Sequence, residues 1–311
     1  MSNLDVASHP TVSHRPAGSA VAGAASNESY VLTVSCPDTT GIVGSIAMFL
    51  ASHNCCITEA QHYDDPFSVT SFMRTVFHPD GKGTPPLAEL NREFALTVAE
   101  RFRMTWNFSR MEHRCRTILA VSRHGHCLNS MLHRWSTGTL PIEIIAVVSN
   151  HQDMRSLSEW HGVPFHYLPV IDGRKREQEE RIAELFEKLD AELLVLARYM
   201  QILTPQACEY FAGRAINIHH SFLPGFKGAK AYHQAHTRGV KLIGATAHYV
   251  TTDLDEGPII EQEVARVDHT LKPAELTVIG ADLESVVLNR AVKWHAERRV
   301  FVNDGRTVVL K

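Results

Sequence analysis

No stretch of this chain approaches the roughly twenty consecutive apolar residues that a bilayer-spanning helix needs, so a helical membrane protein is set aside. The six cysteines, Cys36, Cys55, Cys56, Cys115, Cys127 and Cys208, form no Cys-x-x-Cys pair and no regular framework spacing. A disulfide scaffold and a dithiol redox site are therefore not expected, and buried thiols in a reducing, cytoplasmic setting are. Neither sign of charge dominates: Lys plus Arg number 31 and Asp plus Glu 34, for a formal charge of -3. Without a basic field the chain offers nothing general to nucleic acid or to an anionic membrane, and the expected partners are small molecules or further copies of itself. The 19 histidines include His219, His220, His233, His236 and His248 in one third of the chain, yet none makes the His-Glu-x-x-His pair of a zinc hydrolase and no second carboxylate stands at a comparable position. No catalytic metal is expected. The first 28 residues, rich in Ala, Ser, Gly and His, lack the basic start and apolar stretch of a secretory signal and read as a disordered leader.

What is present is 311 residues, 44% hydrophobic and 21% charged, enough for two compact domains. The fold class expected is α/β, with a front domain over residues 29–109, a basic linker over 110–116 and a rear domain over 117–311. From Tyr30 the pattern reads strand (30–35), helix (41–53), strand (55–63), strand (69–77), helix (87–102), strand (104–108), a ferredoxin-like βαββαβ sandwich. The first helix carries Ile42, Val43, Ile46, Phe49 and Leu50 as one buried stripe. The strand over 69–77 partly alternates, as a sheet covered on one face should. Before the first helix, Asp38 or Thr40 is an expected N-cap, and Gly41 stands where backbone comes close to something. In the rear, strands over 117–122, 142–149, 165–169, 193–197 and 216–218 alternate with helices over 127–135, 154–161, 178–189 and 205–211. Runs such as Ile144-Ile145-Ala146-Val147-Val148 suit parallel strands covered on both faces, so a doubly wound, mostly parallel, Rossmann-like sheet is expected. A helix over 274–298 and a hairpin at Asp304-Gly305 close the chain.

The chemistry concentrates in Asn217-Ile218-His219-His220-Ser221-Phe222-Leu223-Pro224 and in the segment His248 to Pro258, which contains Leu254-Asp255-Glu256-Gly257. The i, i+2 spacing puts Asn217 and His219 on one face of a strand end, where ligands of such sheets bind. If the second segment runs alongside, Asp255 reaches that imidazole, and a donor, a proton carrier and an orienting anion meet. That set suits acyl chemistry. The same residues also read as a strand cap, a buried neutral ring and a turn acid.

The full strings Asn-Ile-His-x-Ser-x-Leu-Pro and His-x-Val-x-x-x-Leu-Asp-x-Gly-Pro resemble the active-site signature of the formyltetrahydrofolate-using transferases and hydrolases. Ser122-Arg123-His124-Gly125-His126-Cys127-Leu128, with one glycine and no phosphate cradle, and His220, where the glycinamide ribonucleotide transferases carry Pro, bring the chain nearest to the formyltetrahydrofolate deformylase family. Arg123 replaces that family's usual Lys and Ser130 its usual Asp. The resemblance implies hydrolysis of 10-formyltetrahydrofolate to tetrahydrofolate and formate, serving one-carbon balance and formate supply for purine synthesis. Its implied catalytic set is Asn217 on the oxyanion, His219 as proton carrier and Asp255 holding the imidazole and a water. It also implies a folate pocket lined by Arg198, Tyr199, Met200, Ile202 and Leu203, faced by Val250, Thr251 and Thr252, with His248 shaping the loop, sharing the water network or merely packing. No cofactor or metal is implied, the folate being the substrate. The front domain resembles the ACT regulatory modules, with Asp38, Thr40 and Gly41 in the loop that takes an amino-acid effector, although Thr40 replaces the usual Pro. Paired front domains imply a homo-oligomer. Two other functions fit the same residues: formyl transfer to an amine such as glycinamide ribonucleotide, and a non-catalytic folate or amino-acid sensor.

Overall fold

The computed structural model describes residues 28–81, 83–225 and 231–311. All of the expected leader except residue 28 lies outside them, as does Lys82 of the turn before the second helix.

Six elements build the front half: β1 (Tyr30–Pro37), α1 (Ile42–Ser52), β2 (Cys55–Asp65), β3 (Thr70–Pro79), α2 (Leu87–Phe94), which runs on through a π-helical turn (Ala95–Ala99) into α3 (Glu100–Phe102), and β4 (Thr105–Arg110). The strands form an antiparallel sheet in the order β2-β3-β1-β4. Helix α1 buries Ile42, Ile46, Phe49 and Leu50 against it, but Val43 is 43% exposed, because it sits a hundred degrees round the helix from Ile42. The capping expectation also fails. Gly41 is itself the N-cap, at φ 99°, with no side-chain cap. Its left-handed turn takes the chain into the helix, and a Cβ there would meet nothing within 4 Å, so glycine is required for its φ and not for a close approach. Asp38 faces the β2–β3 hairpin instead, its N–H donating to Val69 O (2.9 Å) and its carboxylate accepting from Ser71 Oγ (3.3 Å).

Strand β3 departs from alternation: every residue from Ser71 to Phe77 is buried. Met73 and Phe77 face the helices, while the opposite face, expected open, meets the chain's own C-terminal segment. Phe72 meets the Phe301 ring at a tilt, with 5.5 Å between centroids. The Arg74 guanidinium, 1% exposed, bonds Glu59 (2.9 Å) and the Glu297 carbonyl (3.0 Å). Arg299 shares Glu59 (3.0 Å) and also reaches Gln61, and Asn303 donates to Asp65 (2.7 Å).

The rear half contains β5 (Cys115–Val121), α4 (His126–Ser136), β6 (Ile142–Ser149), α5 (Arg155–Trp160), β7 (Phe165–Tyr167), α6 (Lys175–Lys188), β8 (Leu193–Leu196), α7 (Pro205–Tyr210), β9 (Ala215–His219), α8 (Ala231–Thr237), β10 (Leu242–Tyr249), β11 (Ile259–Arg266), α9 (Pro273–Ala296) and the hairpin β12 (Val300–Asn303) and β13 (Arg306–Val309). The first strand begins at Cys115, so the joint is shorter than the expected linker. The sheet order is β11-β10-β9-β8-β5-β6-β7, parallel from β9 to β7 and antiparallel at β10 and β11. Helices cover both faces, as a doubly wound sheet requires. Strand β11 and helix α8 had no counterpart in the sequence reading. Among the described residues no helix is long and apolar enough to cross a membrane.

The junction carries a stability prediction. Glu59→Ala strands the buried Arg74 beside Arg299 without their shared anion and is expected to cost about 2 kcal/mol or more, whereas the apolar Arg74→Met is expected to cost less. The difference is read as a shift in urea midpoint at unchanged slope.

Candidate active site

Strand β9 is the platform. Its even-numbered residues Ile216 and Ile218 enter the core shared with α9, so the period of two turns Asn217 and His219 to the other face. Strand β10 pairs antiparallel to it and sets His248 directly opposite Asn217. The Asn217 Nδ2 lies 3.3 Å from His248 Nε2, and His248 Nδ1 lies 2.9 Å from the Tyr249 carbonyl. A carbonyl only accepts, so Nδ1 carries the ring proton and Nε2 accepts from the amide. Burial holds His248 below its ordinary value, in keeping with that neutral form.

The segment after β10 folds back on the strand. Glu256 N donates to Asp253 O (3.2 Å), Tyr249 N to Pro258 O (3.0 Å) and Thr251 Oγ1 to Asp253 O (3.1 Å). Asp255 takes a left-handed conformation at φ 59°. A Cβ on Gly257 would sit 1.8 Å from the Tyr249 carbonyl oxygen, so only glycine lets the loop close this tightly. The result puts Asp255 Oδ2 at 3.2 Å from His219 Nδ1, with side chains 7% and 5% exposed, and Oδ1 at 3.9 Å from His248 Nε2. Burial alone would raise the Asp255 carboxyl, but the hydrogen bond and charge of His219 outweigh it and hold it below the ordinary range. The charges of His248 and His220 follow as smaller contributions in the same direction. His220 is pushed down to about 4 by burial, then by the charges of Arg198 and His219.

Two adjoining cavities, of about 250 and 60 Å³, open on this set. The larger is walled by Arg198, Tyr199, Met200, Ile202, Asn217, His219 and Asp255, and the smaller by Leu203, His248, Val250, Thr251 and Thr252 together with several of the same groups. All twelve residues singled out in the rear half thus stand at one place. Their parts differ. Met200 and Ile202 present exposed apolar side chains at the rim, whereas the Tyr199 ring is buried with Phe186 and Phe211 and its hydroxyl bonds Gln178, so its side chain belongs to the core. Asp38, Thr40 and Gly41 lie apart, in the front half.

Four residues of the larger cavity's wall were missed, Gln201, Ile218, His220 and Leu254, and so was a buried carboxylate behind the wall. Glu284 of α9, 2% exposed in its side chain, bonds His126 Nε2 (2.7 Å) and Tyr232 OH (2.8 Å) and lies 3.3 Å from Arg198 Nε. Its signal was in the sequence: a glutamate on the buried stripe Gly280, Val287, Leu288, Ala291 and Val292. Gly280 makes room for the Tyr232 ring, since a Cβ there would lie 2.0 Å from it.

A family described as formyl transferase matches residues 115–292. A formyltetrahydrofolate deformylase of Corynebacterium sp. (strain P-1) is 46% identical over 282 residues, 91% of this chain and 98% of that protein. The crystal structure of the formyltetrahydrofolate deformylase from Burkholderia mallei, 50% identical, superposes with a TM-score of 0.86 over 91% of this chain and all of that one. A glycinamide ribonucleotide transformylase of Symbiobacterium toebii, 27% identical with a TM-score of 0.62, covers 98% of its own length but 66% of this chain. The fold and the match over residues 115–292 are those of a formyl transferase. Within that class the chain belongs to the formyltetrahydrofolate deformylase family.

Two outcomes follow from the geometry. Gly257→Ala is expected to lower turnover by about a hundredfold, the cost of misplacing a reacting group by roughly an ångström, with folding preserved by circular dichroism. For pH, His220 and His295, a ring of α9 bonded to the Tyr249 hydroxyl, are both held down to about 4, while unfolded histidine titrates at ~6.5. As pH falls from about 6.5 to 4 the unfolded state binds protons that the folded state refuses, so stability declines, by at most about 1.4 kcal/mol per pH unit for each ring. His220→Gln is expected to flatten part of that slope in denaturation series across this window.

Proposed function

We propose that this chain hydrolyses 10-formyltetrahydrofolate to tetrahydrofolate and formate, with Asn217, His219 and Asp255 as the catalytic residues. The observation that carries the assignment of roles is their convergence on one buried wall, the amide and imidazole side by side on β9 and the carboxylate 3.2 Å from the ring. Deformylase relatives matching about nine-tenths of the chain support the reaction.

The formyl group on N10 is an amide, and attack by water builds negative charge on its oxygen. One Asn217 N–H is engaged by His248, which fixes the amide plane and leaves the second to meet that oxygen. His219, oriented through Nδ1 by Asp255, presents Nε2 to carry a proton towards the departing N10. The buried Asp255 remains ionised and favours the imidazolium that forms during the reaction. Every step is a proton transfer or an acyl displacement, so the reading includes neither a redox cofactor nor a metal. The apolar rim of Met200, Ile202 and Leu254 suits a pterin ring, with main-chain groups of the loop after β8 reading its edge.

The front half supports an ACT-like regulatory role, its β1–α1 loop of Asp38, Thr40 and Gly41 taking an amino acid. The sheet face at Phe72 and Arg74 is already occupied by the chain's own tail, so self-association would use the edge strands β2 and β4. Transfer to an amine acceptor is the weaker reading.

The test is to incubate the protein with 10-formyltetrahydrofolate and no acceptor and to follow formate, with and without methionine or glycine. Acceptor-independent formate release is expected, and turnover that requires glycinamide ribonucleotide would overturn the reading. Asn217→Ala is expected to lower kcat by about a hundred- to a thousandfold, and His219→Asn by on the order of a hundred- to ten-thousandfold, with KM moved far less.

A further inference from the structure

Arg198 is the least satisfied polar side chain of the site. It follows β8 in a left-handed conformation, φ 65°, that a non-glycine residue adopts at a cost of about 1 kcal/mol or more. Its side chain is 10% exposed and forms part of the cavity wall beside Asn217, His219, His220 and Asp255. Among the described residues its Nε and Nη1 are shut off from solvent and make no hydrogen bond. The Nε does lie 3.3 Å from Glu284 Oε2, within ion-pair range but without the alignment of a hydrogen bond. A buried guanidinium with open donors is costly unless something else meets them.

Glu284 explains how the group is held and why two of its donors stay unpaired. Its Oε1 accepts from Tyr232 and its Oε2 faces His126 and the Arg198 Nε. Burial would raise this carboxyl, but the His126 hydrogen bond and the Arg198 charge hold it below the ordinary range, so it stays an anion. With both oxygens in use, it neutralises Arg198 without saturating it. The donor atoms of His126, Cys127 and Glu284 lie within 4.8 Å of one another, a spacing a cation could use. A guanidinium already sits on that carboxylate, and burial pushes the Cys127 thiol far up and keeps it protonated, so the cluster suits an arginine anchor better than a metal.

We propose that Arg198, positioned by Glu284, forms a carboxylate subsite that receives the formate released by hydrolysis. The inference rests on the hydrolytic reading above. In that reaction the water oxygen bonds to the formyl carbon and the C–N10 bond breaks with its electron pair going to N10. One water proton ends on N10, the other reaches solvent, and formate leaves as an anion with two equivalent oxygens. The substrate formyl group has one oxygen and no charge, so at the reacting carbon a planar fork of N–H donors matches the product carboxylate and not the formyl group it came from. Transfer to an amine never generates a carboxylate at this carbon.

The test compares formate as an inhibitor of 10-formyltetrahydrofolate hydrolysis by the wild-type protein and by Arg198→Gln, Arg198→Lys and Glu284→Gln, together with titration of ¹³C-formate by NMR. The formate inhibition constant and dissociation constant are expected to rise on the order of tenfold or more in Arg198→Gln, the loss of one charge-assisted pair. A smaller rise is expected in Arg198→Lys, which keeps the charge and loses the fork, and in Glu284→Gln. Inhibition by tetrahydrofolate is expected to change far less in each. Equal formate constants in the wild type and in Arg198→Gln would overturn the proposal. If Arg198→Gln does not fold, equal constants in Arg198→Lys would do so. Absence of hydrolysis by the wild type would count against the hydrolytic reading alone, because the NMR titration reads the subsite without turnover.

Discussion

The contact between the His219 imidazole and the Asp255 carboxylate governs this site, and it exists because the loop after β10 is pressed back onto its own strand. The Tyr249 carbonyl and the Gly257 backbone occupy nearly the space a methyl group would need. That crowding holds Asp255 in a left-handed conformation with its side chain almost out of solvent. In so dry a place a charge interacts far more strongly than in water. Burial holds two neighbouring rings, His220 and His248, below the ordinary histidine range, and Asp255 lies closer to His219 Nδ1 (3.2 Å) than to His248 Nε2 (3.9 Å).

The sheet places that contact on the wall of the larger cavity. Strands β9, β8 and β5 run parallel, so their carboxyl ends emerge together, while β10 arrives from the opposite direction and lays His248 against Asn217. The wall thus mixes one strand's end with another strand's exit loop. Neither strand alone could supply an amide, an imidazole and a carboxylate at hydrogen-bonding range, and residues 217 and 255 meet only through this reversal of direction.

Much of this was legible in the sequence because short periods dictate it. The spacing of Asn217 and His219 fixes a shared strand face, and the near-continuous apolar runs of β6 and β8 mark strands covered on both sides. What escaped depended on partners remote in the chain. Strand β3 looked half covered because Phe72 and Arg74 are buried by residues beyond 296. The N-cap was assigned to Asp38 or Thr40 from residue type, whereas the left-handed φ of Gly41 decides it. Glu284 lies on an otherwise mostly apolar helix face, but nothing local says that Arg198, His126 and Tyr232 converge on it. Strand β11 is an edge strand with weak alternation, so periodicity gave it no distinct mark.

The C-terminal hairpin touches the rear half, with Val300 against its core and Thr307 bonded to the Ile259 carbonyl, and reaches the front half as well, through Phe301, Asn303 and the preceding Arg299. A cut or graft at the short joint after Arg110 would therefore not separate the two halves cleanly. It would leave the rear piece trailing a flap shaped for a missing surface, and the front piece with a bare guanidinium and phenyl ring. The halves are linked twice, by the short mid-chain joint and by the C-terminal tail, and any exchange of the front module by recombination would have to carry the tail with it.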